Sequence, residues 1–344
     1  MLDDDRARAG HWYCIRDQQS FTQRQDELFC KSCGCVYKMV DGIPIFFDSD
    51  QVADRTRETV PMLDELWEAV RINPCENTLQ HFCLYLGCVH YPHGIDWKIL
   101  FPVPKGGPVL ELGCGIGEQT LELTRSTSCT ISLAPHVTHA LIAQARLRRG
   151  ANGRWKLGVT QNLMCLPFAD QQFEALVMED VSAAGFHLHN GNIDACIAEW
   201  RRVLKPGSTI FLGLENGLIF RALFQLIRSI SPNVGHPETL NRLVKSCVPG
   251  SNRHRRLTAW HTVRRMRRHG FVRTHIYSPF PDQKKMKIVL PLDDSQAIAY
   301  FLRNAVPRHA GLWRIALFIL HILNMCKVFP YLLPYYFIAF KLNE

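Results

Sequence analysis

The 344-residue sequence has no uninterrupted apolar run of the ~20 residues that a membrane-spanning helix requires. Its strongest candidate, Leu312 to Lys327, is broken by His321 and Asn324. No internal repeat or low-complexity tract is present, which argues against a solenoid or a disordered chain. The opening Met1-Leu2-Asp3-Asp4-Asp5-Arg6 lacks the apolar stretch of a secretory signal, so none is expected. Regular cysteine pairing is also missing. The count of 13 is odd, and Cys114, Cys129, Cys165 and Cys196 each stand singly among apolar residues. Isolated, reduced thiols of this kind fit a cytoplasmic protein better than a disulfide scaffold. Acid is scarce in one region: between Arg242 and Lys287 there are 13 Lys/Arg and a single acid, Asp282. That stretch carries +12 of a net charge of +9, leaving −3 for the remainder. Such a basic surface suits an anionic partner, whether a phosphate-bearing substrate, a membrane surface or nucleic acid, and a solvated helix face accounts for it equally well.

What the chain does have is apolar content, 47%, enough for one sizeable core with smaller appendages. Residues 11–48 read as a unit of their own, with Cys14, then Cys30-Lys31-Ser32-Cys33-Gly34-Cys35, then Asp41-Gly42-Ile43-Pro44-Ile45-Phe46. Two thiols two residues apart can grip one metal ion from a tight knuckle, and a distant cysteine can add a third ligand. So short a segment buries little core, and metal would supply much of its folding energy. The stretch resembles the zinc-ribbon module of the tRNA-methyltransferase activator and of many bacterial methyltransferases. It departs from that pattern at the first knuckle, Cys14-Ile15-Arg16-Asp17, which lacks its second thiol. The candidate zinc ligands are therefore Cys14, Cys30, Cys33 and Cys35, with Asp17 or His11 as other ways to complete a tetrahedron. A metal-free ribbon held by Trp12, Phe29, Ile43 and Phe46 is the alternative.

Residues 52–104 form a helical lead-in, since Leu63, Leu66, Trp67 and Val70 recur at helical spacing, as do Leu79, Phe82, Cys83 and Leu86. The linker Pro102 to Pro108 follows. Residues 105–344 then alternate strand and helix, the pattern of a doubly wound α/β sheet. Strands are expected at Val109–Leu112, Thr130–Leu133, Phe173–Met178, Thr209–Leu214, Phe271–Tyr277 and Tyr336–Lys341, with helices from Glu118, Val137 and Ile193. No residues are assigned to the third strand of the expected seven. A helical insertion occupies 279–334, either covering a substrate pocket, lying at a membrane interface or completing the domain.

The stretch richest in chemistry is Val109-Leu110-Glu111-Leu112-Gly113-Cys114-Gly115-Ile116-Gly117-Glu118. An apolar strand runs into a glycine turn that opens a helix, the arrangement that lets a nucleotide-like ligand approach backbone. Three later blocks accompany it: Leu166-Pro167-Phe168-Ala169-Asp170, Glu199-Trp200-Arg201-Arg202-Val203-Leu204-Lys205-Pro206-Gly207, and His269-Gly270-Phe271. Together they resemble the class I S-adenosylmethionine-dependent methyltransferases of the ubiquinone/menaquinone-biosynthesis type. The resemblance implies a Rossmann-like, seven-stranded methyltransferase sheet and S-adenosyl-L-methionine as cofactor. Glu111, Gly113, Gly115 and Gly117 would surround its amino-acid part. Asn162 stands where the family has an acid toward adenine, Leu163 would face the adenine ring, and Glu179 opens the loop lining the transfer site. Ser132 stands where the family has an acid that accepts hydrogen bonds from both ribose hydroxyls. Replacing such charge-assisted bonds costs about 1–3 kcal/mol.

Methyl transfer needs positioning and sometimes a base. His187 and His189 follow strand four, where a base would stand, and a histidine titrates near neutrality; His236 and His261 are further candidates. Trp260, Val263 and Met266 are expected to form the buried stripe of a basic amphipathic helix. Late insertions of this kind resemble those of methyltransferases in surface-glycan and lipid-carrier biosynthesis. The reading is therefore an enzyme methylating a small-molecule, glycan or lipid-linked acceptor, with peripheral membrane contact as a corollary of the basic region. The alternatives are an RNA methyltransferase and a catalytically inactive binding protein that keeps the fold.

Overall fold

The computed structural model describes residues 11–46, 100–101, 107–151, 154–179, 193–215, 259–280, 288–304, 333 and 335–343. The helical lead-in, His187, His189, His236 and the Leu312–Lys327 segment lie outside these residues. Chain contacts divide the protein into two compact units, one built mainly from residues up to Phe211 and the other mainly from Leu212 to Phe340.

The first unit opens with a small antiparallel sheet of strands β1 (Thr22–Arg24), β2 (Glu27–Phe29), β3 (Val36–Val40) and β4 (Ile43–Pro44), in that spatial order. Its turns follow from residue type. Asp41 and Gly42 have φ of 50° and 80°, the double positive-φ turn that an Asp-Gly pair adopts between paired strands. Cys14, Leu28, Cys30, Tyr37 and Phe46 are its buried core, with Trp12, Phe21 and Met39 packed around them.

Five larger strands follow in this unit: β5 (Pro108–Leu112), β6 (Cys129–Ala134), β7 (Arg154–Val159), β8 (Phe173–Met178) and β9 (Leu204–Glu215), ordered β9-β8-β5-β6-β7. Strand β5 runs parallel to β6 and β8, and β6 runs parallel to β7. Every residue of β5 is buried, as expected where helices cover both faces of a parallel sheet. Helices α1 (Glu118–Ser126), α2 (Val137–Gly150) and α3 (Ile193–Val203) make the crossovers. In α3 the buried residues Ile193, Cys196, Ile197, Trp200 and Val203 mark one apolar stripe. Helix α1 meets α2 so closely that a Cβ on Gly117 would lie 2.8 Å from the Ala143 Cα. Beside it, Arg146 of α2 pairs with Glu118 at 3.1 Å, in the first turn of α1 where an acid suits the helix dipole.

The small sheet packs on the flank of this unit. The Phe46 N–H donates to the Val159 carbonyl at 2.8 Å, and Ile45 forms a parallel bridge with Val159. Gly158 makes this approach possible, since a Cβ there would meet Trp12 at 2.9 Å and Phe46 at 3.2 Å.

The second unit holds α4 (Ala259–Arg268), β10 (Phe271–Phe280), β11 (Ile288–Pro291), α5 (Ser295–Asn304) and β12 (Tyr335–Leu342), with strand order β11-β10-β12. The expectation of seven strands misses β11, which had been included in the insertion and instead pairs antiparallel with β10. The stripe expected on α4 also shifts. Ala259, Thr262 and Met266 are its buried residues, while Trp260 is 49% exposed with the Arg264 guanidinium 5.5 Å from its ring. Among the described residues, no helix is long and apolar enough to cross a membrane.

Candidate functional site

The strand order β6-β5-β8 reverses direction of winding at β5, and the carboxyl ends of β5 and β8 border a topological switch point, where open α/β sheets bind ligands. The registers bring particular residues to that edge. Glu111 of β5 lies opposite Val177 of β8 and opposite Ser132 of β6. Two residues beyond Val177 comes Glu179, level with the start of the glycine turn.

The turn itself is built from left-handed backbone. Gly113, Gly115 and Gly117 have φ of 83°, 49° and 82°. The Gly113 N–H donates to the Leu133 carbonyl at 2.8 Å, and the Gly117 N–H to the Cys114 carbonyl at 2.8 Å, which closes the bend. A Cβ built on Gly115 would have nothing within 4 Å, so this residue borders open space. Gly117 caps α1 without any side-chain cap, leaving the first-turn N–H groups of the helix directed at the same edge.

Glu111 is completely buried. One carboxylate oxygen, Oε2, accepts hydrogen bonds from Thr120 Oγ1 at 2.6 Å and Ser132 Oγ at 2.5 Å. The other, Oε1, is buried with no hydrogen-bond partner among the described residues. Burial pushes the Glu111 carboxyl up to about 7, against the pull of the two hydroxyl donors. A buried acceptor at the base of a glycine turn suits a donor that none of the described residues supplies.

Ser132 does not stand at the strand end. Strand β6 continues through Ala134, and Ser132 is fully buried with its hydroxyl committed to Glu111. Asn162 lies in the loop after β7, exposed, with Oδ1 accepting from the Met164 N–H at 2.9 Å in an Asx-type turn. Leu163 beside it is 3% exposed.

Two motif blocks prove to be one structure. Arg202 of α3 forms a two-point contact with Glu199, at 2.8 Å and 2.7 Å, and donates to the carbonyls of Phe168 at 2.8 Å and Leu166 at 3.2 Å. It also reaches Asp170 at 2.7 Å and Gln18 of the small sheet at 3.2 Å. Glu199 in turn accepts from the Leu166 N–H at 2.6 Å. This network sets the path of the loop that follows Asn162 and Leu163. Neither it nor the Thr120–Glu111 contact was foreseen; the spacing of Glu199 and Arg202, one helical turn apart, was the signal available.

In the small sheet, Cys14, Asp17, Cys30 and Cys33 place one ligand atom each within 4.8 Å of one another. Cys14 Sγ lies 3.5 Å from Cys33 Sγ, and the Cys30 thiol donates to both Asp17 carboxylate oxygens, at 3.3 and 3.4 Å. Cys35 is outside this group. All described cysteines are free.

Residues 109–207 match the family described as a methyltransferase domain. The matched stretch begins in β5 and ends in β9, so it contains the glycine turn and the Glu199–Arg202 network. Curated relatives include the ubiquinone/menaquinone biosynthesis C-methyltransferase UbiE of Burkholderia mallei, 34% identical over 116 residues. The same protein of Burkholderia thailandensis matches at 34% over 116 residues. The alignment takes in 32% of this chain and 44% of the relative, so the chain spans less than half the length of the curated proteins it matches. Similar solved structures include a SAM-dependent methyltransferase from Methanosarcina mazei, 17% identical with a TM-score of 0.44, covering 73% of this chain and 100% of that one. Another is Haemonchus contortus phosphoethanolamine N-methyltransferase 2 in complex with S-adenosyl-L-methionine, 12% identical with a TM-score of 0.39, covering 72% and 51%.

Proposed function

We propose that the protein is an S-adenosylmethionine-dependent methyltransferase acting on a small-molecule, glycan or lipid-linked acceptor. The observation that carries the reading is the unpartnered buried oxygen of Glu111 beneath the Gly113–Gly117 turn, within the stretch that matches the methyltransferase domain. The residues present suit the cofactor: an acceptor for its ammonium group, glycine backbone for close approach, and the Asn162–Leu163 loop for its adenine. When bound, S-adenosyl-L-methionine supplies an electrophilic methyl group on a sulfonium.

The chain's own contribution is to bind and orient. Glu111, held by Thr120 and Ser132, fixes one end of the site without rotamer freedom. Arg202 and Glu199 fix the opposite loop. Glu179 opens the segment that carries His187 and His189, the candidates on sequence grounds for taking a proton from the acceptor. Titration calorimetry with S-adenosyl-L-methionine tests the reading, with micromolar binding expected. Absence of heat at millimolar cofactor would instead support a non-catalytic protein that keeps the fold.

An RNA acceptor is the second reading, and one observation favours it. Trp260 is exposed beside Arg264 on the basic helix α4, an aromatic face of the kind on which unpaired bases stack. Steep weakening of RNA binding between low and high salt would be its signature.

A further inference from the structure

The small sheet contains the same turn twice. In the second knuckle the Cys30 N–H donates to the Cys35 carbonyl at 2.9 Å, and the Gly34 N–H donates to the Cys30 carbonyl at 2.9 Å. In the first, the Cys14 N–H donates to the Gln19 carbonyl at 2.8 Å, and the Gln18 N–H donates to the Cys14 carbonyl at 2.9 Å. The left-handed residue falls at the same place in each, Gly34 with φ of 76° and Gln18 with φ of 57°. Bond by bond, Cys14 corresponds to Cys30, Asp17 to Cys33, Gln18 to Gly34 and Gln19 to Cys35. The position of the missing second thiol is filled by a carboxylate, and Cys35 falls at a position whose carbonyl closes the turn.

We infer that Cys14, Asp17, Cys30 and Cys33 form a divalent-metal site of three thiolates and one carboxylate, and that the ion steadies the cofactor-facing loop at 162–168. The ligand atoms already lie within 4.8 Å of one another, the Cys14–Cys33 edge being 3.5 Å and the Cys30–Asp17 edge 3.3 Å. A tetrahedral zinc ion, about 2.3 Å from sulfur and about 2.0 Å from oxygen, sets edges of about 3.5–3.8 Å. Binding needs only that the thiols release their protons to solvent. Three soft donors and one hard one favour zinc over calcium or magnesium. The core formed by Cys14, Leu28, Cys30, Tyr37 and Phe46 includes two of the ligands, so the ion and the fold stand together.

The first knuckle is also the point of attachment to the larger sheet. The Tyr13 N–H donates to the Pro167 carbonyl at 2.9 Å, and the Cys165 thiol donates to the Ile15 carbonyl at 3.1 Å. Trp12 stacks on Phe168 at 5.4 Å between ring centres. These partners continue directly from Asn162 and Leu163, so a fixed knuckle fixes their loop. This half of the inference rests on the cofactor reading proposed above.

The experiment uses the full chain. Elemental analysis should find about one zinc per chain. Cys14→Ser and Cys30→Ser should lose it, Asp17→Asn should weaken zinc affinity tenfold or more, and Asp17→Cys should restore it. Cys35→Ser should keep full occupancy. A wild-type chain that takes up no zinc, or loss of zinc in Cys35→Ser with retention in Asp17→Asn, would overturn the site. For the coupling, calorimetry with S-adenosyl-L-methionine should show affinity at least tenfold lower after chelation, restored by adding zinc. Equal affinity in the two states would overturn the coupling and leave the metal site standing. A zinc-loaded chain without any cofactor binding would fail the methyltransferase reading instead, while its zinc content still decides the metal site.

Discussion

At the residue scale, Glu111 and two glycines of its turn, Gly115 and Gly117, separate stability from binding. Gly115→Arg places a long side chain into open space at a φ of 49°, which an L-residue can adopt at modest strain. It should fold, by circular dichroism, and fail to bind S-adenosyl-L-methionine. Gly117→Ala differs, because its Cβ would meet Ala143 backbone at 2.8 Å at a φ of 82°. It should cost about 2–4 kcal/mol in denaturant unfolding, from strain and overpacking together. Glu111 adds a pH dependence. Its carboxyl is raised from 4.5 to about 7 in the folded chain, so between those values the folded state holds a proton that the unfolded state has released. Stability should therefore fall as pH rises through this window, by about 3 kcal/mol in total, and level off above it. Cofactor affinity should run the other way, since the ammonium group pairs with the ionised carboxylate: below pH 7 it should weaken by about tenfold per unit. In Glu111→Gln both dependences should vanish. The buried Ser132 shows why its role was hard to read from sequence. An alignment position tells which strand carries it, but the strand's extra length to Ala134 decides that its hydroxyl meets Glu111.

At the scale of elements, the apolar strands and the striped helix were legible. Phe173–Met178 and Ile193–Val203 stand where their patterns put them, because burial on both faces or on one stripe leaves a periodic mark in sequence. Strand β7 was not assigned, since Arg154 and Lys156 interrupt its apolar residues; only Leu157 to Val159 are buried. Strand β11 was hidden for a related reason, as a four-residue strand paired on β10. Helix α4 misled by composition: its most apolar-looking residue, Trp260, faces solvent under Arg264, while Thr262 is buried. The Glu199–Arg202 pairing is the element-level device that joins α3 to the loop after β7. Arg202→Ala leaves Glu199 without its cationic partner and the Phe168 and Leu166 carbonyls without the Arg202 donor, and should cost about 3–5 kcal/mol in thermal or chemical unfolding. Arg202→Lys should recover little of it, because an ammonium cannot make the two-point contact.

At the scale of the whole molecule, composition and motif order set a cysteine-bearing stretch at residues 11–48 apart from the body, whereas chain contacts gather that stretch and the strands up to Phe211 into one unit. What the sequence did not disclose is how thoroughly the small sheet is joined to the body. Trp12, Phe46 and Phe168 form one aromatic group, with ring centres 5.1 and 5.4 Å apart, and Gln144 donates to the Asp41 carbonyl at 3.0 Å. Such joins depend on residues far apart in sequence, and no local period encodes them. Deleting residues 1–46 should lower the midpoint of thermal unfolding by at least about 10 °C, as loss of several kcal/mol does in a body of this size. Retention of the full-length midpoint would show that the ribbon is an independent appendage.

The bridge from Ile45 to Val159 has one more implication. Strand β7 is the outermost of its sheet, and an unshielded outer strand offers free amide and carbonyl groups to any neighbouring chain. By occupying that border, the amino-terminal residues act as a fender against intermolecular β-pairing, so shortened chains should be prone to clumping into fibrous or amorphous precipitate even before they melt.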